Sequence, residues 1–298
     1  AEVQQRQVPL WHISMLNDHA RNEAYQGALR AAIDSDSRVL EIGTGAGLLS
    51  MFAARMDPMS LTTCEAEPLV ARMASKIIES NGLASKISLI PKRSTELQLG
   101  TDLPERANVL VFELFSSELL GERVLASIED AKRRLLQPGC RIIPASASLM
   151  ITLFGGERLG ANLSVEAVDG LDLSAFNQVI ARRHVLARDD LEIDLLGDET
   201  EAFRFDFEQQ KEWEPQCTQI RIPVTVEGRC YGIVQWLRLR VDRTTTFENH
   251  PRAQTATSHW RPALYLMPEP VNIRPGQTAV VRAMHDRVSP WFTVERFD

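Results

Sequence analysis

The sequence predicts an α/β unit built on a parallel, doubly wound sheet, followed by an antiparallel all-β unit. Up to about residue 143, short apolar runs alternate with stretches of helical periodicity, as repeated β-α units do. Beyond Pro144, apolar and polar residues alternate with period two and turns replace helices, the grammar of an antiparallel sandwich or barrel. A chain of 298 residues accommodates two such modest units.

The elements follow in order. In residues 19–33, HARNEAYQGALRAAI, Tyr25, Leu29 and Ile33 stand four apart and predict an amphipathic helix. RVLEI (38–42) reads as a strand that runs into a glycine cluster and then a helix, LLSMFAARM. LTTC (61–64), ISLI (87–90), NVLVF (108–112) and CRII (140–143) are further strands. Residues 68–80 begin at Pro68, space Leu69, Met73 and Ile77 four apart, and stop at Asn81-Gly82, so they read as a helix. Residues 118–136, ending in basic side chains, are expected to be helical. In WLRLRV (236–241), Leu237, Leu239 and Val241 share one face of a strand while Arg238 and Arg240 share the other. Residues 156–212 fit neither grammar; their acidic run is expected to be a solvated surface, with a partner-binding arm as the functional alternative.

Composition excludes several classes. The net charge is −7 and no basic run occurs, which argues against a nucleic-acid partner. No long apolar window predicts a membrane span, and the polar start has no apolar core of a secretory signal. Cys64, Cys140, Cys217 and Cys230 are scattered, with no CxxC or HExxH spacing, so neither a metal site nor a disulfide framework is expected. Cys64 and Cys140 read as small core residues, and a reducing cytoplasm is the default setting.

Two stretches carry chemistry. In VLEIGTGAGLLS (39–50), Gly43, Gly45 and Gly47 lie between strand and helix, where glycine permits a tight turn and close approach of a ligand. The dinucleotide fingerprint requires a glycine at position 48, which here is Leu48. The acidic-x-G-x-G-x-G form, with Glu41 in the strand, resembles motif I of S-adenosylmethionine-dependent methyltransferases with a Rossmann-like fold. Glu65, closing the second strand, is placed to accept ribose hydroxyls. The second stretch is VFELFSSELLGE (111–122), where a core strand ends in Glu113 and Glu118 and Glu122 follow. Ligands of open α/β sheets bind beyond the carboxyl ends of the strands, so Glu113 faces the acceptor. Glu113 and a folded-back Glu122 would repel each other unless a cation lay between them, and a planar guanidinium matches two carboxylates.

ELFSSELLGE resembles the double-glutamate loop of the protein arginine methyltransferases, in which the two acids stand nine apart, as Glu113 and Glu122 do. Glu118 lacks that spacing. MLNDHAR resembles the family's N-terminal helix, with Met15, Asp18 and Arg21 in the M-x-x-D-x-x-R pattern. SHW (258–260) resembles its Thr-His-Trp loop with Ser258 in place of threonine, and KRSTE (92–96) falls where the family seats adenine. The match is closest to the seventh, monomethylating branch, over 11–155 and less strongly over 225–298. That branch carries two modules in tandem where one is read here, and commonly has an acid at the position of Ser116.

The resemblance implies roles. Arg21 would hold the methionine carboxylate of S-adenosyl-L-methionine, which leaves as S-adenosyl-L-homocysteine, and Gly43, Gly45, Gly47, Glu65, Ser94 and Thr95 would complete the cofactor site. Glu113 and Glu122 would clamp the guanidinium, Asp18 would pair with His259, and Met15 and Trp260 would line the arginine pocket. It further implies a helical segment (1–36) completing the cofactor site, a Rossmann-like domain (37–143), and a β-barrel domain (144–298) with a dimerisation arm within about 156–212 of a homodimer. The acceptor stays open between peptide arginine and free L-arginine or another small guanidine. A cofactor-binding regulatory module without turnover is the alternative of a different class, and the intact acid pair opposes it.

Overall fold

The computed structural model describes residues 8–186, 192–254 and 258–298. Two helices lead, α1 (Trp11–Leu16) and α2 (His19–Ala32). The Asp18 carboxylate starts α2 by accepting the amide of Arg21 at 3.2 Å, which satisfies one of the free N–H groups of the first turn. The α/β unit then runs β1 (Arg38–Ile42), α3 (Leu48–Ala54), β2 (Ser60–Cys64), α4 (Pro68–Ser80), β3 (Ser88–Ile90), β4 (Ala107–Phe112), α5 (Val124–Arg134) and β5 (Leu136–Ile143). All five strands are parallel, in the order β3-β2-β1-β4-β5. Val39 and Leu40 of β1 and Val109 to Phe112 of β4 are no more than 2% exposed, the continuous apolar signature of a sheet covered on both faces. The strand order reverses between β1 and β4, so the crevice beyond their carboxyl ends is the switch point where such sheets bind ligands.

The second unit contains β6 (Ser146–Gly155), α6 (Glu157–Leu163), β7 (Ala167–Val168), β8 (Leu171–Asp172), β9 (Arg183–Val185), β10 (Asp194–Leu195), β11 (Thr200–Asp206), β12 (Gln216–Pro223), β13 (Gly228–Arg240), β14 (Thr246–Glu248), β15 (Ala263–Ile273), β16 (Thr278–His285) and β17 (Pro290–Phe297). A seven-stranded antiparallel sheet follows the order β10-β6-β13-β15-β9, with β11 on β6 and β14 on β13. Strands β12-β16-β17 form a second sheet, and together the two make the barrel-like half. One apolar core runs through both units, from Leu29 and Phe112 to Phe207, Trp213, Trp260 and Phe292.

Three expectations are corrected. The segment 118–123 is a loop, and the helix expected over 118–136 begins only at Val124. The hydroxyl of Ser116 accepts the amides of Glu118 and Gly121, at 3.2 and 3.1 Å, which captures backbone donors a helix would need. Leu119 and Arg123 have φ of +70° and +57°, outside helical space. The stretch 156–212 is also less of an outlier than its sequence suggests, since β9, β10 and β11 are members of the large sheet. Among the described residues of the stretch, the elements outside that sheet are α6, the β7–β8 hairpin and a 3₁₀ turn at Ser174–Val179. Part of its acidic run, residues 187–191, lies outside the described residues. Cys64 is buried as expected, whereas Cys140 is partly exposed.

Candidate active site

At the switch point lies a cavity of about 1070 Å³. Ligand pockets commonly hold roughly 300–1,000 Å³, so this one has room for two ligands side by side. Its floor is the turn after β1. Gly43 has φ of +86°, and a Cβ there would sit 2.7 Å from Leu114 Cδ2, so glycine lets the turn pass beneath the acid loop. Gly45, at φ +53°, has nothing within 4 Å of the place a Cβ would occupy and leaves its backbone open to the cavity. Gly47 does not line the cavity; it caps α3, and a Cβ there would meet Ile78 at 3.2 Å.

The far wall of this end is Glu65, just past β2. One of its oxygens accepts Gly45 N–H at 2.9 Å and the other accepts Glu67 N–H at 2.9 Å, which fixes the carboxylate at the rim. Ser94 and Thr95 line the same end, Ser94 buried and Thr95 exposed. Below them Glu41 is buried and accepts Thr63 Oγ1 at 2.8 Å and the hydroxyl of Ser50. Burial outweighs these two donors and Arg21, and pushes the Glu41 carboxyl up to about 7. Among the described residues no group of His, Cys, Asp and Glu is arranged to hold a metal ion. The features that fit S-adenosylmethionine are the open glycine turn, the fixed carboxylate at Glu65 and the absence of a phosphate-oriented third glycine.

The acceptor end is built from β4, the loop after it, and the 258–260 segment. Glu113 follows Phe112 directly. Its carboxylate takes Arg21 Nη2 at 2.8 Å, and the two side chains are 7% and 3% exposed, so the ion pair is buried. Arg21 is itself braced by Asn22 Oδ1 at 2.8 Å and lies over the Tyr25 ring at 5.1 Å. Tyr25 donates its hydroxyl to Phe112 O at 3.1 Å, which pins the strand end. Burial, then the charge of Glu113, holds that phenol well above its ordinary value, so it stays a donor. Glu122, nine positions on, is exposed yet lines the same cavity. Burial of its carboxyl and then the charge of Glu113 raise its pKa.

Asp18 and His259 are brought together from opposite ends of the chain, Oδ2 to Nδ1 at 3.0 Å, with both side chains nearly inaccessible. Burial alone would push the Asp18 carboxyl up; the bond to His259 and the Arg21 amide outweigh it and hold it below the usual range. His259 Nε2 is buried with no partner among the described residues. The M-x-x-D-x-x-R pattern is not one helix: Met15 belongs to α1, Asn17 breaks the chain, and Asp18 caps α2. Met15 lines the cavity. Trp260 also does, and donates its indole N–H to Phe115 O at 2.9 Å.

Several site residues escaped the sequence reading. Phe115 seats the acid loop in an aromatic cluster, 5.4 Å from Phe112 and 6.1 Å from both Phe207 and Trp260 by ring centres. Arg261 lines the acceptor end, and its amide donates to Ser117 Oγ at 3.3 Å. Arg123 lines the cavity next to Glu122. No residue pattern in the sequence marks it; what distinguishes it is a left-handed backbone conformation, at φ +57°.

Comparisons with known proteins bear on this site. No family model matches the chain. It is 32% identical over 283 residues to an arginine N(omega)-methyltransferase of Streptomyces achromogenes subsp. streptozoticus, covering 95% of this chain and 78% of that protein. It is 30% identical to protein arginine N-methyltransferase 7 of Drosophila sechellia and of Oryza sativa subsp. indica. These matches cover 93% of this chain but only 46% and 44% of those proteins, so the chain spans just under half their length. Among solved structures, the Trypanosoma brucei PRMT1 enzyme–prozyme heterotetrameric complex with AdoHcy superimposes with a TM-score of 0.78 at 20% identity, covering 95% of this chain and 96% of that one. With a parallel-sheet unit, a barrel-like unit and paired acids at the switch point between β1 and β4, the chain belongs to the arginine N-methyltransferase family.

Proposed function

We propose that the chain transfers one methyl group to an Nω nitrogen of arginine held between Glu113 and Glu122. The observation that carries this reading is the pair of carboxylates lining one cavity, one locked by Arg21 and the other with its pKa raised by burial and then by the charge of Glu113. S-adenosylmethionine, when bound at the Gly43–Glu65 end, supplies an electrophilic methyl on sulfur. An arginine arrives protonated, since its pKa exceeds 12. Between the two acids its charge removes their repulsion, and their fork-matched oxygens aim one terminal nitrogen along the cavity. Arg21 occupies one oxygen of Glu113 and so sets the angle of the other. The Asp18–His259 pair is the proton acceptor we favour: Nδ1–H directed at Asp18 leaves Nε2 as a lone pair with no competing partner among the described residues.

The acceptor is an arginine side chain of a peptide, in keeping with a net charge of −7 that attracts Arg-rich segments. Free L-arginine is the second reading, favoured by the name of the Streptomyces relative, which this chain matches over most of its length. Incubation with labelled S-adenosylmethionine and either L-arginine or an Arg-Gly-rich peptide, followed by mass spectrometry, separates the two. The expected product is a monomethylated peptide arginine. Exclusive methylation of L-arginine would replace the first reading by the second, and no methylation of either would sink both.

Assembly as a homodimer is part of this proposal. Leu171, Phe176 and Val179 of the protruding segment are 68%, 61% and 75% exposed, an apolar surface suited to a second copy. Light scattering should give twice the chain mass; a monomer at working concentration would overturn it. Four free cysteines accord with a reducing cytoplasm.

A further inference from the structure

Glu118 is the acid that the nine-residue spacing leaves without a task. It sits midway along the loop between Glu113 and Glu122, and it is held from two sides. Tyr265 of β15 donates its hydroxyl to one oxygen at 2.8 Å. Arg183 of β9 reaches the other at 3.1 Å. Tyr265 and Arg183 are register partners across the β15–β9 pair, so their side chains leave the same face of the sheet and converge on one carboxylate. Ala263 and Val185 form the next pair on that face, and Val185 lines the cavity. Tyr265 is 5% exposed and packs edge-on against Phe292 at 5.1 Å, so its hydroxyl is a fixed point. The Glu118 side chain is 17% exposed.

The two ends of the loop differ in what holds them. Glu113 needs no help from Glu118: β4, Arg21 and Tyr25 fix it. Among the described residues Glu122 has no hydrogen bond or ion pair of that kind. It lies between Leu119 and Arg123, both in left-handed backbone conformations, which persist in such residues only where the surroundings impose them. The contacts that impose them are Ser116 within the loop, Trp260 on Phe115, Gln235 on Ser117 O at 3.4 Å, and the Tyr265–Glu118–Arg183 clasp.

We propose that Glu118 is a positioning residue that fastens the acid loop to the β9–β15 pair and thereby aims Glu122 at the acceptor. The inference rests on the reading of Glu113 and Glu122 as the guanidinium clamp. Arg183 ends the segment that protrudes from the barrel, so the clasp also ties the loop to the root of that segment.

The test compares Glu118→Leu, Glu118→Gln, Tyr265→Phe and the double variant Glu118→Leu/Tyr265→Phe, with Glu122→Gln as reference. Glu118→Leu should lower kcat at least tenfold and raise the acceptor KM, while the Kd for S-adenosylhomocysteine stays within twofold. Glu118→Gln, which can still accept from Tyr265, should recover part of the loss. Tyr265→Phe should lower kcat in the parent and have no further effect in the Glu118→Leu background. Wild-type kinetics in Glu118→Leu, with Glu122→Gln impaired, would overturn the positioning role alone. Wild-type kinetics in Glu122→Gln would instead overturn the clamp. Parallel loss of cofactor affinity and turnover in Glu118→Leu, or additive effects in the double variant, would reduce Glu118 to a folding residue and likewise refute the proposal.

Discussion

Glu113 and Glu122, the two acids of the proposed guanidinium clamp, stand in unlike settings. Glu113 stands at the end of a buried strand, its carboxylate paired with a buried guanidinium. Glu122 stands on an exposed loop, and its pKa is raised rather than held by a counterion. The first acid is preorganised by the sheet and by Arg21. On the proposed reading the second gains its counterion from the acceptor, so a rigid reference and a responsive partner would together bind the cation.

The largest effect that tests this contrast is expected for Glu113→Gln. Turnover should fall roughly 10²–10³-fold, in line with loss of one electrostatic contact to the reacting group. The melting temperature should fall too, because Arg21 is left buried without its counterion. Steady-state kinetics and calorimetry check both, and near-normal turnover would remove the clamp. Glu122→Gln should cost roughly 10²-fold in kcat and leave the melting temperature unchanged or slightly higher, since the variant removes a strained charge. An equal thermal loss in the two variants would erase the distinction drawn here.

The pH profile sharpens it. A raised pKa means that Glu122 loses its charge at a higher pH than an ordinary carboxylate as acid is added. The acid limb of kcat/KM should therefore lie above the usual carboxylate range, and in Glu122→Gln that limb should vanish. The smallest effect is expected for Trp260→Phe. Loss of the indole donor leaves Phe115 O without its partner, at about 1–3 kcal/mol, and should lower the melting temperature by a few degrees while raising the acceptor KM. Unchanged KM would show that the indole carries packing alone.

Much of this was legible beforehand because the carriers are local. The apolar runs of β1 and β4 and the glycine turn depend on neighbours a few positions away. What the sequence hid has three sources: a side chain that competes locally with the helix, distant partners, and strands too short to show a period. Residues 118–136 look helical by periodicity, yet Ser116 and the left-handed Leu119 redirect the first part into the acid loop. Glu118 meets Tyr265 across 147 positions, so spacing rules gave it no role. Strands β9 and β10 are three and two residues long, too short for alternation to announce them. Arg21 was expected on the cofactor carboxylate, and its salt bridge to Glu113 adds a tie to the acceptor side that no motif displays.

The apolar interior that joins Leu29 to Phe292 without a seam has a consequence for how the molecule melts. Phe115 and Trp260, one from each half, share that interior, so neither half can shed its neighbour and keep its own apolar surface covered. The chain should lose structure in a single cooperative step, and a cut at Pro144 should yield two fragments that recover order only when mixed.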